Sequence, residues 1–203
     1  SLGQAVYERN LFDQGQRRFI LVQMAEPTKI EGYRFISDIT KERLRRSIGK
    51  LKVNNIIHGD LGFKVFKIDE SNICAWKPNP NDLKKSLFDN LEHIEPERSN
   101  DDVLYEVLLK LGLDLCVPME AQQIAGKTVH SIGGGALMTC LDAHIGVADA
   151  EGLALGMAQW REAQGTATET TAVFRDSAFE DDVAKSNLAA ILEQHGVKHV
   201  RSL

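Results

Sequence analysis

The stretch Gly15–Pro27, GQRRFILVQMAEP, runs from a charged turn through a short apolar core to a stop at proline. Phe19, Ile20, Leu21 and Val22 are four apolar residues in succession, the pattern of a strand buried on both faces of a parallel sheet. Such strands end where ligands bind, which draws attention to Gln23 and Glu26. A helical pattern over Ser1–Leu11 precedes the run, with Leu2, Ala5, Val6 and Arg9 along one stripe. No strand comes before that helix.

Working outward, Ser37 or Asp38 is placed to cap a second helix reaching about Lys52. Its Leu44, Ile48 and Leu51 fall on one face, and Lys41, Arg43, Arg45, Arg46 and Lys50 cover the rest. GFKVFKID, Gly62–Asp69, mixes Phe63, Val65, Phe66 and Ile68 with lysines, as a strand near a sheet edge does. The first third therefore reads α-β-α-β, a parallel-sheet rhythm whose first strand is expected upstream of Ser1.

From Glu70 to Asn100 the pattern is irregular. WKPNPND, Trp76–Asp82, cannot continue a helix or strand past its two prolines, and a short helix is expected near Leu83–Glu92. Beyond it, Asp101–Leu111 is a helix with Val103, Leu104, Val107, Leu108 and Leu111 inward. KTVHSIGGGALMTCLD gives two apolar runs joined by Gly133, Gly134 and Gly135, a hairpin or tight bend. A helix over Ala148–Ala163, a strand over Thr171–Asp176, a helix over Asp181–His195 ended by Gly196, and the closing strand KHVRSL complete a small right-handed α/β unit.

With 203 residues, 43% hydrophobic and 26% charged, the chain has the composition of a globular protein of one ordinary domain or two small ones. No apolar run reaches the roughly 18–20 residues of a membrane span. Cys74, Cys116 and Cys140 form no CxxC pair, which points to free buried thiols and a reducing, cytoplasmic compartment. Residues 1–60 hold 11 basic and 7 acidic side chains, a balance of +4. The remainder holds 13 against 22, or −9, so any polyanion is expected at the first region.

Few motifs carry chemistry. The glycines of SIGGGAL precede a second strand-like run rather than a helix N-terminus, so they make a turn and not a phosphate cradle. Asp176 ends a buried strand, where α/β sheets place functional groups, and a hydrolase using it would need a partner that the sequence does not reveal. Glu180, Asp181 and Asp182 have the placement of first-turn helix residues. His195 and His199 are separated by Gly196 and have no companion ligands, so no metal site is expected. The basic helix KERLRRSIGKLK offers Arg43, Arg46 and Lys50 as candidates for DNA phosphate contact.

Six blocks in order, RRFILVQMAEP, ITKERLRRSI, GFKVFKIDESN, DVLYEVLLKLGL, SIGGGAL and VFRDSAFEDDVAKSN, resemble the C-terminal part of the modification subunit of type III restriction–modification systems. That subunit is an adenine-N6 DNA methyltransferase using S-adenosylmethionine. The resemblance spans nearly the whole chain. It implies a partial methyltransferase (Rossmann-like) sheet lacking its first strand over 1–70, a connecting arm over 71–100 and a second small α/β assembly domain over 101–203. It also implies that the Asp-Pro-Pro-Tyr-type catalytic tetrapeptide and the Phe-x-Gly-x-Gly cofactor turn lie upstream of Ser1, leaving no catalytic residue in this chain.

The family's second strand ends in an acidic residue that binds the cofactor ribose. The matching position is Gln23, whose carbonyl oxygen still accepts hydrogen bonds, with Glu26 a nearby substitute and Asp69 bordering the adenine. Without the upstream glycines the chain is expected to bind S-adenosylmethionine weakly or not at all. The implied partners are DNA, met mainly through the upstream region, the restriction subunit, and a second modification subunit in a homodimer. The alternative is a stand-alone, non-enzymatic interaction domain related to that C-terminus.

Overall fold

The computed structural model describes residues 1–54, 61–74, 79–82, 84–86, 93–166 and 168–203. Trp76 and most of the helix expected over 83–92 lie outside the described residues. The chain divides into two compact units, Ser1–Lys67 and Ile68–Leu203. The described residues of segment 71–100 fall in the second unit, where Ile94 joins a core and Ile73 bridges to it.

In the first unit, helix α1 (Leu2–Asp13) is capped by the Ser1 hydroxyl, which accepts from the Gln4 N–H. It buries Gly3 and Tyr7, whereas Leu2 is exposed, so the stripe expected from Leu2, Ala5 and Arg9 is rotated. Gly3 explains the rotation. A Cβ there would crowd Leu44 and Phe19, so the helix approaches its neighbours through the residue that has no side chain. Tyr7 meets Phe19 edge to face, with ring centroids 5.3 Å apart, and its hydroxyl donates to the Gly62 carbonyl. Helix α2 (Ile36–Asn54) starts where Asp38 accepts from the Phe35 N–H, buries Leu44 and half-buries Ile48 and Leu51.

The two strands expected in this unit do not form. Arg18–Met24 and Gly62–Asp69 have no strand ladder, and Ile20 and Val22 are 89% and 84% exposed. Apolar content favours an extended backbone, but a strand exists only where a second strand meets its N–H and C=O groups. The start of the first segment is held instead by a side chain: Asn10 donates from Nδ2 to the Arg17 carbonyl and accepts from the Arg17 N–H.

The second unit makes the chain a mixed α/β protein. Helix α3 (Asn100–Lys110) begins with a capping box between Ser99 and Asp102. The sheet follows as β1 (Met119–Ile124), β2 (Lys127–Ile132), β3 (Leu137–Cys140), β4 (Thr171–Phe174) and β5 (His199–Ser202), in that spatial order. The first three strands are antiparallel neighbours, and β3, β4 and β5 run parallel. Helix α4 (Val147–Ala163) joins β3 to β4, and α5 (Asp182–Gln194) joins β4 to β5. Gly133, Gly134 and Gly135 make the β2–β3 turn with φ of 63°, 65° and 88°, a left-handed run that only glycines adopt without strain.

Two cores sandwich the sheet. On one face Val129, Met138, Cys140, Ala172 and Phe174 pack under α4 and α5, represented by Leu153, Met157, Leu188 and Leu192. On the other, Ile132, Leu137, Leu141 and Val173 pack under Val103, Leu104, Val107 and Leu108 of α3. Each such buried side chain contributes roughly 1.5–3 kcal/mol, so this unit carries most of the apolar stabilisation. Among the described residues of the first unit, Tyr7 and Leu44 alone are buried large apolar side chains.

Candidate functional site

Gln23 and Glu26 lie exposed on the extended segment after Phe19. Glu26 opens a short loop: its carbonyl accepts from the Ile36 N–H at 3.0 Å, and Thr28 N–H donates to the Arg34 carbonyl at 3.0 Å. That loop delivers the chain into α2. Both side chains face solvent, available to a hydroxylated ligand but not enclosed around one.

Arg43, Arg46 and Lys50 recur at helical spacing along the exposed side of α2. Glu42 sits 2.7 Å from Arg46 Nε, and this hydrogen bond raises the guanidinium further above its ordinary value. Lys41 is likewise tied to Asp38 at 2.7 Å. Arg43 and Lys50 extend the stripe, an arrangement that can neutralise phosphates along one line.

Asp69 belongs to the second unit, where Arg98 Nη1 lies 3.3 Å from Oδ2 and the Glu70 N–H donates to Oδ1. The Arg98 guanidinium is raised by that hydrogen bond. The carboxylate already has a structural occupation, fixing the entry to the unit.

The second unit brings together a group that the sequence did not reveal. Asp176 follows β4, and Lys185 from α5 pairs with its Oδ1. The hydrogen bond from Lys185, then one from Ser202, then the charge of Lys185 outweigh burial and hold its carboxyl below the usual carboxylate range. These residues stand at the carboxyl end of the parallel strands, the position where α/β sheets place chemistry. Only the strand end was legible, because Lys185 and Ser202 come from separate elements. Chemically the pair is quiet. A half-exposed carboxylate neutralised by an ammonium is a poor proton acceptor and a poor nucleophile.

The other acidic residues of FRDSAFEDD are structural: Asp181 caps α5 by accepting from the Ala184 N–H, and Glu180 accepts from the Val147 N–H at the start of α4. His199 pairs with Glu169, and His195 ends α5. Among the described residues no three His, Cys, Asp or Glu side chains converge in a way that would hold a metal ion. Of the cysteines only Cys140 is buried, and burial pushes its thiol up to about 11. Cys116 is exposed and Cys74 half-buried, against the expectation of three buried thiols. No helix of the described chain is long and apolar enough to cross a membrane. The chain matches no protein-family model, no curated protein and no solved structure.

Proposed function

We propose that the chain serves as the C-terminal part of a type III adenine-N6 DNA methyltransferase subunit, working in the cytoplasm with the restriction subunit and a second modification subunit. The observation that carries this reading is the set of six blocks in family order along the chain. The exposed apolar residues of the first unit add support, since Ile20, Leu21 and Val22, and Val65 with Phe66, have the composition of strands that belong beside others.

In this reading Gln23 or Glu26 accepts hydrogen bonds from the ribose hydroxyls of S-adenosylmethionine, and the Arg43, Arg46 and Lys50 stripe neutralises DNA phosphates. Methyl transfer needs groups that position the flipped adenine N6 against the sulfonium methyl, and this chain supplies none of them. The second unit, with its quiet Asp176 pair, acts in assembly.

The test is the source gene upstream of the Ser1 codon, followed by methylation assays of the full product. A continuous frame carrying a Phe-x-Gly-x-Gly turn and a Pro-Pro-Tyr tetrapeptide, with DNA methylation that weakens in Gln23→Ala plus Glu26→Ala, supports the proposal. A start codon at Ser1 overturns it in favour of a stand-alone interaction domain.

A further inference from the structure

We propose that β1 is a self-pairing edge through which two copies of this chain join their sheets, antiparallel about a two-fold axis at Ala121. The inference extends the dimer expectation above but rests on the second unit alone.

The ladder itself shows which groups are free to pair. Pro118 C=O accepts from the Gly133 N–H, and Ile124 and Lys127 close the two-residue turn at Ala125 and Gly126. Because antiparallel strands alternate, Glu120, Gln122 and Ile124 direct their backbone groups at β2, while Met119, Ala121 and Gln123 direct theirs outward. Among the described residues β1 pairs only with β2, so that outer edge is open.

The two edges of the sheet are built differently. The opposite edge, β5, has four residues, carries His199 and Arg201 and follows Lys198, the charged dressing that discourages strand addition. β1 has six residues without a bulge, lysine or proline, and its one charge, Glu120, is engaged by Gln164. Beside it lies a groove of about 440 Å³ between β1 and α4, lined by Gln122, Ile124, Gly156, Gln159, Trp160 and Ala163, all uncharged.

A second copy of β1 fits this edge by its own symmetry. Centring on Ala121 sets Ala121 against Ala121, Met119 against Gln123 and Glu120 against Gln122, so the outward groups of three pairs meet and no like charges face each other. The uncharged groove flanks the same edge, so the surface open to a second copy is not confined to the strand backbone.

Proline at Ala121 is the selective probe, because the N–H it removes is not used in the β1–β2 ladder. In sedimentation of the full chain, we expect self-association that Ala121→Pro weakens at least about tenfold while circular dichroism is unchanged. A positional test stands beside it: in a Cys74→Ser, Cys116→Ser background, Glu120→Cys mixed with Gln122→Cys forms an intermolecular disulfide, and neither variant does so alone. Across such a pair the Cα atoms stand roughly 4.5 Å apart, within disulfide reach. A chain that stays monomeric, or a dimer indifferent to Ala121→Pro and lacking the mixed disulfide, overturns the proposal. Neither result bears on the cofactor reading, which the methylation assay tests separately.

Discussion

Asn72 reaches Glu106 twice, its backbone N–H donating to Oε2 at 2.7 Å and its side-chain amide to the same oxygen at 2.8 Å. Ser71 donates to Oε1 at 2.6 Å, and Lys110 lies 2.9 Å from it. One carboxylate on α3 therefore gathers four donors and fastens the start of the second unit to its helix. Burial alone would raise this carboxyl, but the donors from Ser71, Lys110 and the Asn72 backbone outweigh it and hold it at about 2.

A pH dependence follows. The folded carboxyl titrates below its ordinary 4.5, so its stabilisation is complete above that value and disappears as pH falls from 4.5 towards about 2. Urea midpoints measured across this window should drop for the natural chain. Glu106→Gln, lacking the charge, should be less stable at neutral pH by on the order of 2–3 kcal/mol, and the gap should close in acid. A gap independent of pH would exclude the charge as its source.

Thr139 is fully buried on β3, and its Oγ1 has no hydrogen-bond partner among the described residues. An unpaired buried hydroxyl is a standing cost, so Thr139→Val, which keeps the shape, should stabilise the chain by about 0.5–1 kcal/mol. Thermal unfolding measures this directly. Destabilisation beyond about 1 kcal/mol would mean that the hydroxyl is satisfied.

Gly156 lets α4 rest on β1, because a Cβ there would overlap Ile124 Cγ2. Alanine is the better helix former by roughly 1 kcal/mol, yet overpacking against a stiff β-branched side chain costs about 1–3 kcal/mol. Gly156→Ala should therefore destabilise, and Ile124→Ala in the same chain should recover part of the loss. A double-mutant cycle reads the coupling, and strict additivity would rule out the contact.

Ile20 and Val22 face solvent, so threonine at either position should change the stability of this chain by no more than about 0.5 kcal/mol. In a complete methyltransferase subunit the same replacements should lower cofactor affinity, because there the run is proposed to lie inside a sheet. Equal indifference in both settings would count against that placement.

The sequence announced its helices and inner strands well. The buried row of Val103, Leu104, Val107 and Leu108 defines α3 locally, and KTVHSI, three glycines and LMTC define a hairpin with both runs apolar. β1 was illegible for the opposite reason. MEAQQI is exposed at four of its six positions, so it shows no alternation, and its strand character comes from the ladder to β2. Phe19–Val22 misled in the other direction, with strand composition and no ladder. The site residues divide in the same way: the basic stripe of α2 follows from helical spacing, whereas the Asp69–Arg98 and Asp176–Lys185 pairs join positions that no local pattern connects.

By itself, then, the sequence determined the helices, the apolar strands β2, β3 and β4, and the division of charge between the two ends. These rest on propensities and periodicities that act over a few residues. Tertiary structure alone decided which extended segments became strands, that Gly3 rather than Leu2 faces the first core, and that Asp69 and Asp176 are paired. A backbone hydrogen bond or an ion pair needs its partner in place, and a chain read one residue after another does not say which distant partner arrives.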